Sequence, residues 1–244
     1  MISLTRFAIK AAATAGFRIG RMSRTLQYRR SRALRELNIS VVLDVGANEG
    51  QYASEIRELG YKERIVSFEP LSIPFQRLQN KARGDTKHEC LHTALGDADG
   101  TVVINVSENL VSSSLLEVDG DSVRACPASA RVRIEETRLG RLDTLRSDII
   151  HPRDRIHLKI DTQGTEKNVL LGASRVLEQV NSVELELSLV SLYKGQTLMP
   201  EMYEMMADLG FQCVWLERGF TDPASNDILQ MDGLFLRSSA RKSV

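Results

Sequence analysis

From residue 38 onward, short apolar runs alternate with stretches in which apolar residues recur every three or four positions, the rhythm of strands and amphipathic helices taken in turn. The pattern predicts a strand over 41–45, a helix over 52–59, a strand over 64–68 and a helix over 74–81, a right-handed βαβ unit. A third strand is expected over 88–95, running into the turn Ala94-Leu95-Gly96-Asp97. Residues 100–140 break the rhythm: 101–106 and 131–137 alternate like exposed strands around the serine-rich loop 109–116, so a β-hairpin insertion is expected there. A short helix over 139–145 leads back to a strand at 156–161 and a helix over 166–177. A strand at 183–189, a helix at 200–209 and strands at 211–216 and 228–236 follow. The loop Asp222-Pro223-Ala224-Ser225-Asn226 makes the last two an antiparallel pair at one edge. Seven strands result, with no internal repeat and no Pro/Gly-rich linker, so one folded domain is expected over 38–244.

Charge changes this picture at one end only. The 244 residues carry 32 basic and 32 acidic side chains, yet nine of the basic ones and no acid lie at or before Arg35, leaving the body net acidic. Residues 1–37 therefore read as a basic, amphipathic appendage. It has no apolar run near the roughly 18 residues that span a bilayer. An Arg-rich, acid-free helix can lie on an anionic membrane surface; a helix packed on the core, a dimer contact or an organellar presequence fits the same composition. Cys90, Cys126 and Cys213 are few and far apart, which indicates neither a disulfide framework nor a zinc site and favours a reducing, cytoplasmic setting, with peripheral contact at the membrane's inner surface as the variant.

The candidate chemistry begins at Asp44-Val45-Gly46-Ala47-Asn48-Glu49-Gly50, where a strand ends in an acid and a glycine turn opens a helix. Glycines there permit positive φ and let a ligand approach the amides of the helix N-terminus. The spacing is G-x-x-x-G rather than the dinucleotide G-x-G-x-x-G, and Asp44 would repel a pyrophosphate. A ligand with an ammonium and a sulfonium, S-adenosylmethionine, suits it better. Glu69 ends the second strand, where a carboxylate can accept from both hydroxyls of a ribose. Singly, Asp44 could be a helix cap, the glycines a tight turn and Glu69 a solvated strand end. Together they fall where open α/β sheets bind ligands.

A second segment reads Lys159-Ile160-Asp161-Thr162-Gln163-Gly164-Thr165-Glu166. Period-two alternation puts Lys159 and Asp161 on one face at the strand's end, where they either pair structurally or face the site; the site is favoured. His157 shares that face but lies deeper and reads as a hydrogen-bonded core residue. Glu184, Glu186 and Ser188 share a face of the next strand. Ser112, Ser113 and Ser114 either present hydroxyls to a ligand or close a turn among themselves.

Together with Phe68-Glu69-Pro70 and Ala94-Leu95-Gly96-Asp97, these two motifs resemble the FkbM-type methyltransferases over about residues 40–237. The resemblance implies the class I methyltransferase fold, a seven-stranded, mostly parallel sheet with helices on both faces and an antiparallel C-terminal hairpin. It also implies O-methylation of a hydroxyl, often on a sugar of a glycolipid or on a polyketide or other secondary metabolite. By position it makes Asp44, Gly46, Asn48, Gly50 and Glu69 cofactor residues and turns Asp161 toward the reaction centre. Ala47, Pro70, Leu95, Gly96 and Asp97, within the same motifs, complete the expected cofactor contacts. Many relatives carry Glu where this chain has Gln163, which makes Gln163 a weak catalytic candidate.

The expected reaction is in-line displacement at a sulfonium methyl, in which the protein aligns the reactants and accepts the hydroxyl proton. Asp161 is the preferred base, Lys159 tunes its charge, and Glu186 is the reserve. Several acids could hold magnesium, but no spacing demands it. Two other readings compete: a nicotinamide-dependent oxidoreductase, disfavoured by the glycine spacing, and a noncatalytic membrane-associated scaffold. Nucleic acid is not an expected partner, because no aromatic residue stands beside Asp161 to stack an extruded base. A small-molecule or glycolipid acceptor is, and a homo-oligomer is allowed.

Overall fold

A computed structural model of the chain describes residues 25–239, together with Phe7 and Thr14. Its main sheet has seven strands in the order β3-β2-β1-β7-β8-β10-β9. They are β1 (Val41–Val45), β2 (Arg64–Phe68), β3 (His88–Leu91), β7 (Ile156–Ile160), β8 (Val180–Ser188), β9 (Phe211–Arg218) and β10 (Gln230–Arg237). The first five pair in parallel, and β10 runs antiparallel between β8 and β9. All five residues of β1 are buried, as expected of a central strand covered on both faces. On one face Val41, Leu43 and Val45 pack with Leu158, Ile160 and Phe68 beneath α5 (Leu142–Ile149), α6 (Glu166–Leu171), α7 (Ser174–Leu177) and α8 (Met199–Asp208). On the other, Val42 and Ile65 pack with Ile56 of α2 (Gln51–Glu58) and Leu34 of α1 (Leu26–Glu36). Strand order reverses between β1 and β7, a switch point at whose carboxyl end such sheets open a crevice.

A second sheet, in which β4 (Ala94–Leu95) is followed by β6 (Arg131–Gly140) and β5 (Gly100–Ser107), stands over that end. Strands β5 and β6 form the expected antiparallel pair, with α4 (Gly120–Ala125) in the connection. Ile104 and Val106 close a small core on Leu71, just ahead of α3 (Ser72–Ala82), together with Leu110 and Leu115 of the serine-rich loop.

Three expectations are corrected. The run 88–95 is not one strand: after β3 the chain steps aside, and β4 (Ala94–Leu95) pairs with Leu139 and Gly140 of the second sheet. The helix expected over 139–145 starts at Leu142, because 131–140 is all strand. The helix expected over 166–177 breaks at Gly172. A Cβ there would lie 1.8 Å from the Gly96 carbonyl oxygen, so the chain can pass only as glycine, and α7 restarts with Asp143 accepting the amides of Arg175 and Val176, each at 3.0 Å.

The basic stretch also divides. Its last part is α1, capped by Thr25, whose hydroxyl accepts the Tyr28 amide at 3.3 Å. Leu26, Ala33, Leu34 and Leu37 are buried, and Arg29 stacks on Trp215 at 4.7 Å. Residues 26–36 therefore pack into the domain, short of the boundary expected at 37, because their apolar positions fall on one helical face. The stretch ahead of Thr25, proposed to meet a membrane, lies outside the described residues apart from Phe7 and Thr14. No described helix is long and apolar enough to cross a membrane.

Candidate active site

The ends of β1 and β7 meet at the Gly46 turn. Gly46 has φ +75°, and a Cβ there would lie 1.9 Å from the Asp161 carbonyl oxygen, so this glycine lets two strand ends close on one another. The turn's amides are mostly taken: Gly46 and Ala47 donate to the Phe68 carbonyl at 3.1 and 3.0 Å, and Asn48 donates to Glu69 Oε2 at 2.8 Å. β2 thus uses the Gly46, Ala47 and Asn48 amides to fix the turn, ahead of the helix N-terminus at Gly50. Gly50, φ +82°, opens α2 with Leu78 packed where its Cβ would be.

Asp44 is fully buried. The cation it meets is the chain's own Lys159, whose Nζ lies 3.4 Å from Oδ1, 3.5 Å from Asp161 Oδ2 and 3.1 Å from the Gly46 carbonyl, to which it donates. Asp44 Oδ2 accepts from Ser67 at 3.3 Å, while Oδ1 has no hydrogen-bond donor. Burial alone would lower the Lys159 pKa, but Asp161 and Asp44 outweigh it and raise it. Lys159 and Asp161 therefore do both things the sequence allowed, pairing with each other at the edge of the site.

Glu69 accepts the Asn48 amide on one oxygen and the Leu71 amide on the other, each at 2.8 Å. Burial nevertheless pushes its pKa up to about 7. Each oxygen keeps a lone pair for a further donor.

At Asp161 the motif resolves residue by residue. Gln163, with φ +55°, turns its amide so that Nε2 donates to Asp161 Oδ1 at 2.8 Å and to Glu186 Oε2 at 3.0 Å. Tyr193 donates its hydroxyl to Gln163 Oε1 at 2.7 Å. Gly164, φ +102°, is pressed by Tyr193, Gln196 and Leu116. Glu166 Oε1 accepts the amides of Thr162 and Gly164 at 2.9 and 3.1 Å and so staples the turn. Asp161 keeps 39% of its side chain exposed. Glu186 is driven well above the usual carboxylate range, by burial first and then by Asp161 and Glu166. Asp232, opposite Glu186 in the β10 register, is pushed up to about 6 by burial and by Glu184.

The cleft is lined by Gly46, Asn48, Glu69, Pro70, Leu95 and Asp161 on the sheet side, and by Leu110, Val111 and 113–115 of the serine-rich loop opposite. Its interior space is about 90 Å³. Ser113 Oγ accepts the Ser107 amide at 3.0 Å, and Ser114 donates to the Gln163 carbonyl at 2.6 Å, so these hydroxyls close a turn and pin the loop onto the motif. Gly96 and Asp97, expected beneath an adenine, lie off the cleft: the Gly96 carbonyl is packed against Gly172 and Asp97 is exposed. His157 is a core residue, bonded to Ser182 at 2.7 Å and Tyr52 at 2.8 Å, its pKa lowered by burial to about 4. Among the described residues no group of three or more His, Cys, Asp or Glu side chains is arranged to hold a metal ion, so magnesium finds no ligand set there.

Sequence reasoning missed Tyr52 and Asp232, and it pointed to the loop around Tyr193-Lys194-Gly195 as shaping the pocket without giving Tyr193 its place on Gln163. Asp232 alone left a signal, since it alternates in phase with Leu234 and Leu236. The tyrosines reach the site from a loop and a helix face that no local pattern points inward.

The FkbM methyltransferase domain family matches this chain over residues 44–213. The antimetabolite synthetase AmbE of Pseudomonas aeruginosa is 28% identical over a match taking in 60% of this chain, which spans only 8% of that synthetase's length. Among solved structures, magnesium protoporphyrin IX methyltransferase from Synechocystis PCC 6803 with bound SAM matches 87% of this chain and 79% of its own at 9% identity, TM-score 0.46. An rRNA methylase from Streptococcus thermophilus matches 89% and 99% at 10% identity, TM-score 0.46.

Proposed function

The chain belongs to the FkbM methyltransferase family, and from there we propose that it moves a methyl group from S-adenosylmethionine to a hydroxyl of a sugar on a glycolipid or of a secondary metabolite. The observation that carries this reading is the meeting of Glu69, Asn48, Gly46 and Asp161 along one cleft at the switch point. Two features of the cleft fit the donor. Glu69 has spare acceptor capacity for ribose hydroxyls, and Asp161 brings a part-exposed carboxylate to the same cleft for the donor's cationic part. The interior of about 90 Å³ is below the roughly 300 Å³ of small-molecule sites, so Leu110–Leu115 must yield as a ligand enters.

When bound, S-adenosylmethionine supplies a methyl on a positively charged sulfur, electrophilic enough to be taken by an oxygen. Asp161 accepts the proton that the acceptor hydroxyl gives up as its oxygen bonds to carbon; Lys159 and Gln163 fix the carboxylate for this. Glu186, held toward its neutral form, does not compete for that first proton. The resemblance to part of an antimetabolite synthetase favours a small secondary metabolite among the acceptors. The acid-free residues ahead of Thr25, with Arg6, Lys10, Arg18, Arg21 and Arg24, favour one presented at an anionic bilayer, which sedimentation with acidic vesicles tests. Incubation of the chain with methyl-labelled donor and an extract of lipids and sugars is expected to label an ether that Asp161→Asn does not form. Label on protein or nucleic acid alone would contradict the reading.

A further inference from the structure

Asp44, Lys159 and Glu184 stand side by side on β1, β7 and β8, in register, on the face covered by α1 and α2. Their charges alternate, and all three are nearly sealed from solvent, with 0%, 8% and 6% of their surfaces exposed. The next cation in the row comes from outside the sheet. Arg30 of α1, 5% exposed, grips Glu184 with two nitrogens, Nε donating at 2.7 Å and Nη2 at 2.5 Å. Its Nη1 donates to Glu55 at 2.6 Å, and its plane sits 4.3 Å from the centre of the Tyr52 ring. The same ring lies 5.6 Å from Lys159 Nζ on its way to the Gly46 turn.

A carboxylate buried this deeply needs a partner. With Arg30 present, Glu184 has one, and Lys159 is left to Asp44, Asp161 and the Gly46 carbonyl. Without Arg30, Lys159 is the cation in register with Glu184, and any shift toward it withdraws the positive charge from Asp161 at the cleft and from the buried Asp44 behind it. We propose that Arg30 is a positioning residue for the methyl-donor site: by satisfying Glu184 it holds Lys159 on the β1 and β7 ends. Arg30 lies ahead of the family match, which starts at residue 44. The helix closing the basic stretch is thereby part of the transferase site. The inference rests on the donor reading above.

Titration calorimetry of S-adenosylhomocysteine with the full chain tests both, the native protein being measured first. If the native chain takes up none, the donor reading itself fails. Given native binding, Arg30→Met is expected to bind at least about tenfold more weakly. Arg30→Lys, which keeps the cation, should stay within about threefold of native. The double variant Arg30→Met/Glu184→Gln, which leaves no buried charge unpaired, should also recover to within about threefold. A purely structural Arg30 would cost Arg30→Met unfolding stability while leaving the affinity of its folded protein native, so stability and affinity are read on the same preparation. Native affinity in Arg30→Met overturns the inference, as does a double variant still about tenfold weak. Should Arg30→Met fail to fold, the double variant decides by that same criterion.

Discussion

Two groups of acidic side chains crowd the same edge of the sheet and are held in opposite ways. Asp44 and Glu184 are deeply buried, and each faces a cation, Lys159 or Arg30. Asp161, Glu186 and Asp232 sit one step outward. There a single amide, that of Gln163, serves both Asp161 and Glu186, while Glu186 and Asp232 are pushed toward their protonated forms by burial and by neighbouring acids. The first arrangement fixes charge behind the cleft, each acid held by a cation of the chain's own. The second gathers the ionisable groups from which the proposed reaction draws its proton acceptor. Lys159 serves Asp44 and Asp161 alike, so the contrast lies in burial and in which acids are pushed toward their neutral form.

The sharpest way to break this contrast is Asp161→Asn, which is expected to lower kcat by about 10²–10⁴ while leaving S-adenosylhomocysteine affinity nearly native, because the side chain retains its size. Turnover and calorimetry on the same preparation check it; unchanged turnover would erase the proton-handling half of the comparison. Asp44→Ala attacks the other half. Removing one partner of a buried ion pair should cost about 3–5 kcal/mol of stability and abolish cofactor binding, read by denaturant unfolding and calorimetry. Equal affinity in the native and variant chains would contradict it.

Much of this edge was legible beforehand. The β1, β2 and β7 ends fall where Gly46, Glu69 and Asp161 follow largely apolar runs, although Asp44, His157 and Lys159 are buried within those strands. The turn glycines and the Lys159-to-Glu166 motif were visible because each residue answers a local demand: positive φ at Gln163 and Gly164, a staple at Glu166. Long-range demands were not visible. The Gly172 break depends on the Gly96 carbonyl, 76 residues away in sequence. Arg30 looked like one more surface cation, because nothing near it in the chain reveals the Glu184 it would meet. Ala94 and Leu95 were apolar enough for the main sheet, and only the partner strand at 139–140 drew them into the second.

Smaller effects sharpen the contrast further. Glu69, with its pKa raised to about 7, is neutral in much of the protein at pH 6 and ionised at pH 8. Its ionisation costs the folded state stability above about pH 7, a cost relieved as pH falls below it. If the carboxylate form receives the ribose, donor affinity rises by up to about tenfold from pH 6 to pH 8 and levels off above, and Glu69→Gln flattens the profile. Calorimetry across that range checks the slope. Tyr193→Phe removes one hydrogen bond to Gln163 and should lower kcat about two- to tenfold with little change in donor affinity. Steady-state kinetics distinguish that from a binding defect.

A crystal structure of the full chain with S-adenosylhomocysteine puts the whole argument at risk in one measurement. The ribose hydroxyls are expected on the Glu69 carboxylate, with the sulfur turned toward Asp161 and the Leu110–Leu115 wall displaced outward. A molecule seated away from the carboxyl ends of β1 and β7, or a cleft that stays closed at saturating ligand, would contradict it.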